Sequence, residues 1–236
     1  MSENGPIRVG GVETFSTVDF PDKISAVIFM QGCPWRCPFC HNAPLQDAQA
    51  DSGFIWKKFI EFLQSRRKVL DAVVFSGGEP LLQAGLADAL TEVKALGYAV
   101  GLHTGGYNPE HLARVLPLVD WVGLDIKAPF VKPKYAAAVG GADGLARVEK
   151  SLHLLLDAGC DFECRTTCDP RLLSVADIFA IAEKLVSLGV KKYFLQKYRP
   201  IPADTKTTDA DCEAVISDKS LLTYLQNTFT DFDVRR

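Results

Sequence analysis

The chain has 236 residues, 47% of them hydrophobic, which is enough to bury the core of one substantial domain. A formal net charge of −3 leaves no basic excess for nucleic acid or for an anionic lipid surface. No apolar run reaches the length of a bilayer and residues 1–20 hold no signal-type apolar region, so neither a membrane nor a nucleic acid is expected as partner and the expected location is cytoplasmic.

In chain order, residues 9–20 predict a short N-terminal hairpin, and a strand over 24–30 runs straight into a cysteine-bearing loop. Phe54, Ile55, Phe59, Phe62 and Leu63 recur at helical spacing, predicting a helix over 54–67. An apolar strand over 72–75 ends in Ser76-Gly77-Gly78-Glu79-Pro80, and a helix over 86–96 is closed by Gly97. The alternation continues with strands at 98–102, 121–126, 162–166 and 193–196 and helices at 109–116, 144–157, 175–187 and 209–227. A long loop separates the strand at 121–126 from its helix. Six strand–helix repeats predict a parallel sheet covered by helices, too few to close an eight-stranded barrel. With no linker or low-complexity segment, residues 1–236 read as one domain, with 1–22 as an N-terminal extension packed on it.

Seven cysteines, an odd number, do not suggest a disulfide framework. Cys33, Cys37 and Cys40 have the spacing C-x3-C-x2-C, which supplies three thiolates. A closed zinc site needs four ligands, whereas iron–sulfur clusters are held by cysteine thiolates. A redox pair formed by Cys37 and Cys40 and half of a zinc site are the alternatives. Against the first stand the third cysteine and the prolines at 34 and 38; against the second, His41 is too close to Cys40 and no second C-x2-C exists. Cys160, Cys164 and Cys168 flank or lie within a strand, where the outer two would be roughly 25 Å apart, too far for one cluster. They read as small hydrophobes. Cys212, in a polar stretch, reads as incidental.

The segment around Cys33, Cys37 and Cys40, with Phe39 just before the last cysteine, resembles the radical S-adenosylmethionine superfamily. The resemblance implies an open, partial (β/α)6 TIM-like barrel, one [4Fe–4S] cluster on the three cysteines and S-adenosyl-L-methionine at the iron they leave open. Active sites of β/α barrels are built at the C-terminal ends of the strands. There Gly77-Gly78-Glu79 matches the family's GGE motif, with glycines that permit close backbone approach and a Glu79 carboxylate for the methionine ammonium. Asp125 and Lys127 resemble a D-x-K motif, on one face by strand alternation, implying contacts to ribose hydroxyls and the cofactor carboxylate. A salt-bridged pair at a strand end is their plainer reading. His103 stands where relatives often carry a carboxylate near the cofactor. Arg165, on a core strand, needs a carboxylate or a ligand as partner. Gln196 and Arg199 fall where relatives place adenosine contacts, and Phe39 should pack on adenine or the surrounding wall. Lys132 and Lys134 belong to the long loop after the fourth strand, solvated or in contact with a partner.

The resemblance further implies reductive cleavage of S-adenosylmethionine to a 5′-deoxyadenosyl radical, with flavodoxin or ferredoxin as electron donor. Residues 9–11, 15–21, 31–37 and 40–42 most resemble activating proteins of anaerobic ribonucleoside-triphosphate reductase, implying a glycyl-radical enzyme as protein substrate. Two other readings are a small-molecule radical enzyme similar to 7-carboxy-7-deazaguanine synthase and a non-catalytic iron–sulfur or zinc protein.

Overall fold

The apolar runs Ala26–Ile28, Val73–Phe75 and Trp121–Leu124 are fully or almost fully buried because both faces of the sheet they build are covered. The computed structural model describes residues 6–50, 53–141 and 144–236. Eight strands form one sheet in chain order: β1 (Val9–Ser16), β2 (Ser25–Met30), β3 (Ala72–Gly77), β4 (Ala99–Thr104), β5 (Trp121–Asp125), β6 (Phe162–Cys168), β7 (Lys192–Lys197) and β8 (Asp231–Arg235). All pairings from β2 to β8 are parallel, and β1 is antiparallel to β2. Among the described residues β1 and β8 do not pair, so the sheet curls into a partial barrel and stays open at that seam. The six units starting at β2 to β7 make it a (β/α)6 barrel.

Helices cover the outer face: α1 (Trp56–Arg66), α2 (Leu86–Ala95), α3 (Pro109–Val115), α4 (Lys132–Val139), α5 (Gly144–Ala158), α6 (Val175–Ser187), α7 (Asp209–Ile216) and α8 (Lys219–Thr228). The main core lies between them and the outward residues of the strands, including Val73, Phe75, Leu102, Leu124, Cys164, Cys168 and Leu195. Cys164 and Cys168 fill space there, four residues apart on one face of β6. Cys212 is also fully buried, on α7, so the reading of it as incidental is corrected. Inside the barrel a smaller cluster of Phe20, Val27, Ala72, Val74 and Trp121 plugs the floor.

Four elements depart from the sequence reading. Residues 9–20 do not fold on themselves; Val9–Ser16 makes a hairpin with the strand beginning at Ser25. The expected long loop contains α4, which starts with Pro133 in its first turn and ends at Gly140 with φ 66°. The last predicted helix is two, because the Asp218 carboxylate accepts the Leu221 N–H at 2.8 Å and starts α8 afresh. Asp231–Arg235, too short and too charged to register as a strand, adds β8 to the sheet.

Candidate active site

Strand alternation decides what enters the barrel. In β5 and β6 the odd-numbered residues face inward, so Asp125, Arg165 and Thr167 reach the lumen while Leu124, Cys164 and Thr166 face the helices. At the C-terminal mouth they border one cavity, about 210 Å³, with Cys33, Cys37, Phe39, Cys40, Gly77, Gly78, Glu79, His103 and Lys127. All of these except Thr167 are site residues expected from the sequence, and they arrive from the ends of β2, β3, β4, β5 and β6. Trp35, His41, Asn42, Thr104 and Gly105 also border the cavity; they lie beside the motif residues, but none of them has a site role expected from the sequence. Gln196 and Arg199 do not border it, against expectation. The Thr167 hydroxyl donates to Gln196 Oε1 at 3.4 Å, and the Arg199 guanidinium donates to the Arg236 carbonyl at 3.1 Å.

The loop carrying the cysteines is held at both ends and in its middle. Gly32 N–H donates to Leu45 O at 2.7 Å and Cys33 N–H to Gln46 O at 3.2 Å. Arg36 N–H donates to Val139 O at 2.9 Å, tying the loop to the end of α4, and its guanidinium caps the Cys33 carbonyl at 2.6 Å. Cys40 N–H closes a turn on Cys37 O at 3.1 Å. All three cysteines are free and half-buried.

The glycines of Gly77-Gly78-Glu79 serve packing of main chain on main chain. Gly77 has φ +100°, and a Cβ there would lie 2.4 Å from Met30 N; at Gly78 it would lie 2.2 Å from Gly32 O. Without side chains the segment extends the β2–β3 ladder into the loop, through Gly78 N–H to Met30 O and Glu79 N–H to Gly32 O, both at 2.9 Å. The close approach expected toward a ligand is therefore made first toward the cysteine loop itself.

Glu79 is 2% exposed, and its carboxylate is already engaged. Oε1 accepts from Leu81 N–H at 3.0 Å and the Thr104 hydroxyl at 2.6 Å, and Oε2 accepts from Gly105 N–H at 3.0 Å. It clasps the end of β3 to the end of β4. Burial raises its pKa, opposed by those three donors and by Lys127. Gly105 has no side chain because the Trp35 ring lies where one would be, 2.1 Å from an ideal Cβ.

The floor of the cavity is a charge cluster. Asp125 Oδ1 accepts from Arg165 Nε at 3.2 Å, and Oδ2 accepts from Lys127 Nζ at 3.0 Å. Arg165 thus has the carboxylate partner its burial demands, and the salt-bridged reading of Asp125 and Lys127 holds for their geometry. Burial acts to raise the Asp125 pKa, but Lys127 and Arg165 outweigh it and hold the carboxyl at about 2. Burial likewise acts to lower the Lys127 pKa and is outweighed by Asp125 and Cys37, so the net direction is upward. The ammonium also stands 5.7 Å over the Phe39 ring, which makes Phe39 wall. Gly123 leaves room for this: an ideal Cβ would be 2.7 Å from the Arg165 guanidinium carbon.

His103 borders the cavity from below. Its Nε2–H donates to the Asp19 carbonyl at 2.8 Å, and its ring meets Trp121 edge-on at 5.4 Å. Burial, followed by the Arg165 charge, lowers its pKa well below the ordinary value, so the ring is neutral. Lys132 and Lys134 lie in α4 rather than in a loop, and Lys134 pairs with Asp177.

A cluster fits this donor set. No three His, Cys, Asp or Glu side chains among the described residues converge as ligands of a single ion would. Three free thiols instead border a shared space beside a lysine. Burial pushes the Cys33 thiol up to about 12 and raises Cys37 too, while Lys127 lowers both. Thiols so placed ionise against a bound metal charge.

Residues 27–168 match the family model described as the Radical SAM superfamily. A Methanocaldococcus jannaschii protein named as a candidate glycyl-radical enzyme activating enzyme is 33% identical over 202 residues, 81% of this chain and 80% of its own. The pyruvate formate-lyase-activating enzyme of Listeria monocytogenes is 37% identical over 135 residues, which span 51% of this chain and 53% of that enzyme. The 7-carboxy-7-deazaguanine synthase of Hyperthermus butylicus is 31% identical over 154 residues, 59% of this chain and 64% of that protein. In fold, a solved radical SAM methyltransferase from Sphaerobacter thermophilus superposes with a TM-score of 0.68 over 94% of this chain and 68% of that one, at 14% identity.

Proposed function

The chain belongs to the Radical SAM superfamily, and from that premise we propose that it is an activating enzyme that installs a glycyl radical on a partner enzyme. The observation that carries the reading is the convergence of Cys33, Cys37 and Cys40 with Glu79 and the Asp125–Lys127–Arg165 cluster on one cavity at the barrel mouth. The 33% identity across 81% of the chain supports the choice of a glycyl-radical partner.

In this reading Cys33, Cys37 and Cys40 would hold a [4Fe–4S] cluster, and Phe39, the Gly77–Glu79 segment, Asp125, Lys127 and Arg165, which border the same cavity, would hold S-adenosyl-L-methionine. Bound there, cluster and cofactor would supply one-electron chemistry that ends in removal of a hydrogen atom from the substrate. The protein supplies position. Lys127, bound to only one carboxylate oxygen, retains donors for the cofactor carboxylate. Glu79 Oε2, with one donor, retains a lone pair for the ammonium. The left-handed turn at Gly77 and the clasp of Glu79 on Thr104 and Gly105 hold these groups in place before anything binds. His103, neutral and held by Asp19, closes the floor without adding charge. The partner's glycine-bearing segment enters at the mouth, a flavodoxin or a ferredoxin supplies the electron, and the location is cytoplasmic.

The test is anaerobic reconstitution with iron and sulfide, reduction, and mixing with S-adenosylmethionine and an anaerobic ribonucleoside-triphosphate reductase from the same genome. The expected result is a glycyl-radical doublet by electron paramagnetic resonance, with stoichiometric 5′-deoxyadenosine. Cofactor cleavage without any protein radical, together with turnover of a pterin substrate, would replace the proposal by the deazaguanine-synthase reading.

A further inference from the structure

A second polar network lies against the cysteine loop, built from the loops that follow β6 and β7 around Arg171, whose side chain is 34% exposed. Asp169 is fully buried. It receives Arg171 bidentately, Nε to Oδ1 at 2.9 Å and Nη2 to Oδ2 at 2.6 Å. The same guanidinium pairs with Asp204 at 3.0 Å and donates to the Tyr198 hydroxyl at 2.8 Å. Tyr198, also fully buried, donates its own proton to Asp204 Oδ2 at 3.0 Å.

This network touches the cysteine loop at two points, and they flank Cys40. Arg171 Nη2 reaches the Pro38 carbonyl at 3.4 Å, two residues before the cysteine. On the other side the His41 ring stacks on Tyr198, with centroids 6.0 Å apart and planes 14° from parallel. The His41 Nε2–H donates to the Arg199 carbonyl, next to Tyr198 in the chain, at 2.6 Å. An ion pair made by a partly exposed arginine adds little net stability, but a bidentate arginine fixes direction as well as distance. Such a network explains better why Cys40 stands where it does than why the protein is folded.

We propose that Arg171 and Tyr198 are positioning residues for Cys40, which set how firmly the thiolate-held cluster is retained. This rests on the reading of Cys33, Cys37 and Cys40 as cluster ligands. Groups that orient metal ligands change metal affinity by roughly 10- to 100-fold when lost, without touching the metal.

The test compares iron release to a chelator from anaerobically reconstituted parent, Arg171→Lys and Tyr198→Phe proteins, with thermal unfolding of each metal-free protein alongside. Arg171→Lys keeps the charge and loses the fork; Tyr198→Phe keeps the stacking ring and loses the hydroxyl. Glu163→Gln is the control, since it breaks a buried pair with Arg235 near the start of β6, away from the cysteine loop. The expected result is release on the order of tenfold faster in both positioning variants. Their reduced-cluster paramagnetic resonance should also be altered, while Glu163→Gln releases iron at the parent's rate. Parent-like release from Arg171→Lys and Tyr198→Phe overturns the proposal, as does equal acceleration in Glu163→Gln, which would mean that only global stability matters. A parent protein that takes up no iron and sulfide overturns the underlying reading instead.

Discussion

The two arms of the cysteine loop are secured in different ways. The arm at Gly32 and Cys33 is held chiefly by main chain: Glu79 N–H on Gly32 O, Gly32 N–H on Leu45 O and Cys33 N–H on Gln46 O, with the Arg36 guanidinium on Cys33 O beside them. The arm at Cys40 is held chiefly by side chains, through His41 on Tyr198, Asn42 on Gly77 O at 3.4 Å, and Arg171 on Pro38 O. Main-chain ladders tolerate many side chains but no Cβ where backbones meet. Side-chain contacts depend on which residues stand far downstream, 133 positions away in the case of Arg171. The first arm is thus rigid by construction and the second by composition.

The largest effect should come from disturbing the first arm. Gly78→Ala places a methyl 2.2 Å from the Gly32 carbonyl oxygen, and neither backbone can yield without breaking the β2–β3 extension. A loss of roughly 4 kcal/mol or more is expected in denaturant unfolding, with cluster uptake lost as well. Parental stability in the Gly78→Ala protein would show that the ladder has slack.

The floor beneath both arms comes next. Asp125→Asn leaves Arg165 and Lys127 without their shared carboxylate and should cost about 3 kcal/mol. Because the folded pKa lies at about 2, below the ordinary carboxylate value, Asp125 stabilises the fold above about pH 4 and stops doing so as pH falls through about 2. Unfolding measured along that acid limb should flatten in the Asp125→Asn variant. An unchanged limb would mean that other carboxylates govern it.

A smaller effect is expected at Thr104, whose hydroxyl donates to Glu79 and accepts Gly106 N–H at 2.9 Å. Thr104→Val should cost about 1–2 kcal/mol and weaken S-adenosylmethionine binding measured by calorimetry, whereas Thr104→Ser should restore both. Equal loss in the Ser and Val variants would assign the effect to the methyl group.

The same contrast explains how much is legible in the sequence. Strands β2 to β7 are apolar runs followed by helical periodicity, and that pattern survives without tertiary knowledge. β8 alternates Asp, Phe, Asp, Val and Arg over five residues, a signal that becomes a strand only because β7 offers an unpaired edge. Within the site, Glu79 and Asp125 sit in short motifs and can be located, and so can the pairing of Asp125 with Lys127 two residues on, but not the partners that other strands bring. That Glu79 is clasped by Thr104 and Gly105, or that His103 rests on Asp19, follows from strand register, which local pattern does not encode. The run His103-Thr104-Gly105-Gly106 does mark a special turn. Nothing marks Arg171, and the resemblance that singles out Gln196 and Arg199 passes over Tyr198 between them, since each acts across the fold on a loop far earlier in the chain.

The most direct test compares the parent with Cys37→Ala after identical anaerobic reconstitution, scoring iron, sulfide and 5′-deoxyadenosine formed from S-adenosylmethionine. The expected result is a Cys37→Ala protein that folds, with thermal unfolding close to that of the metal-free parent, and shows no [4Fe–4S] signal and no cleavage. Cleavage retained in that protein would contradict the assignment of the three thiols as the cluster's ligands.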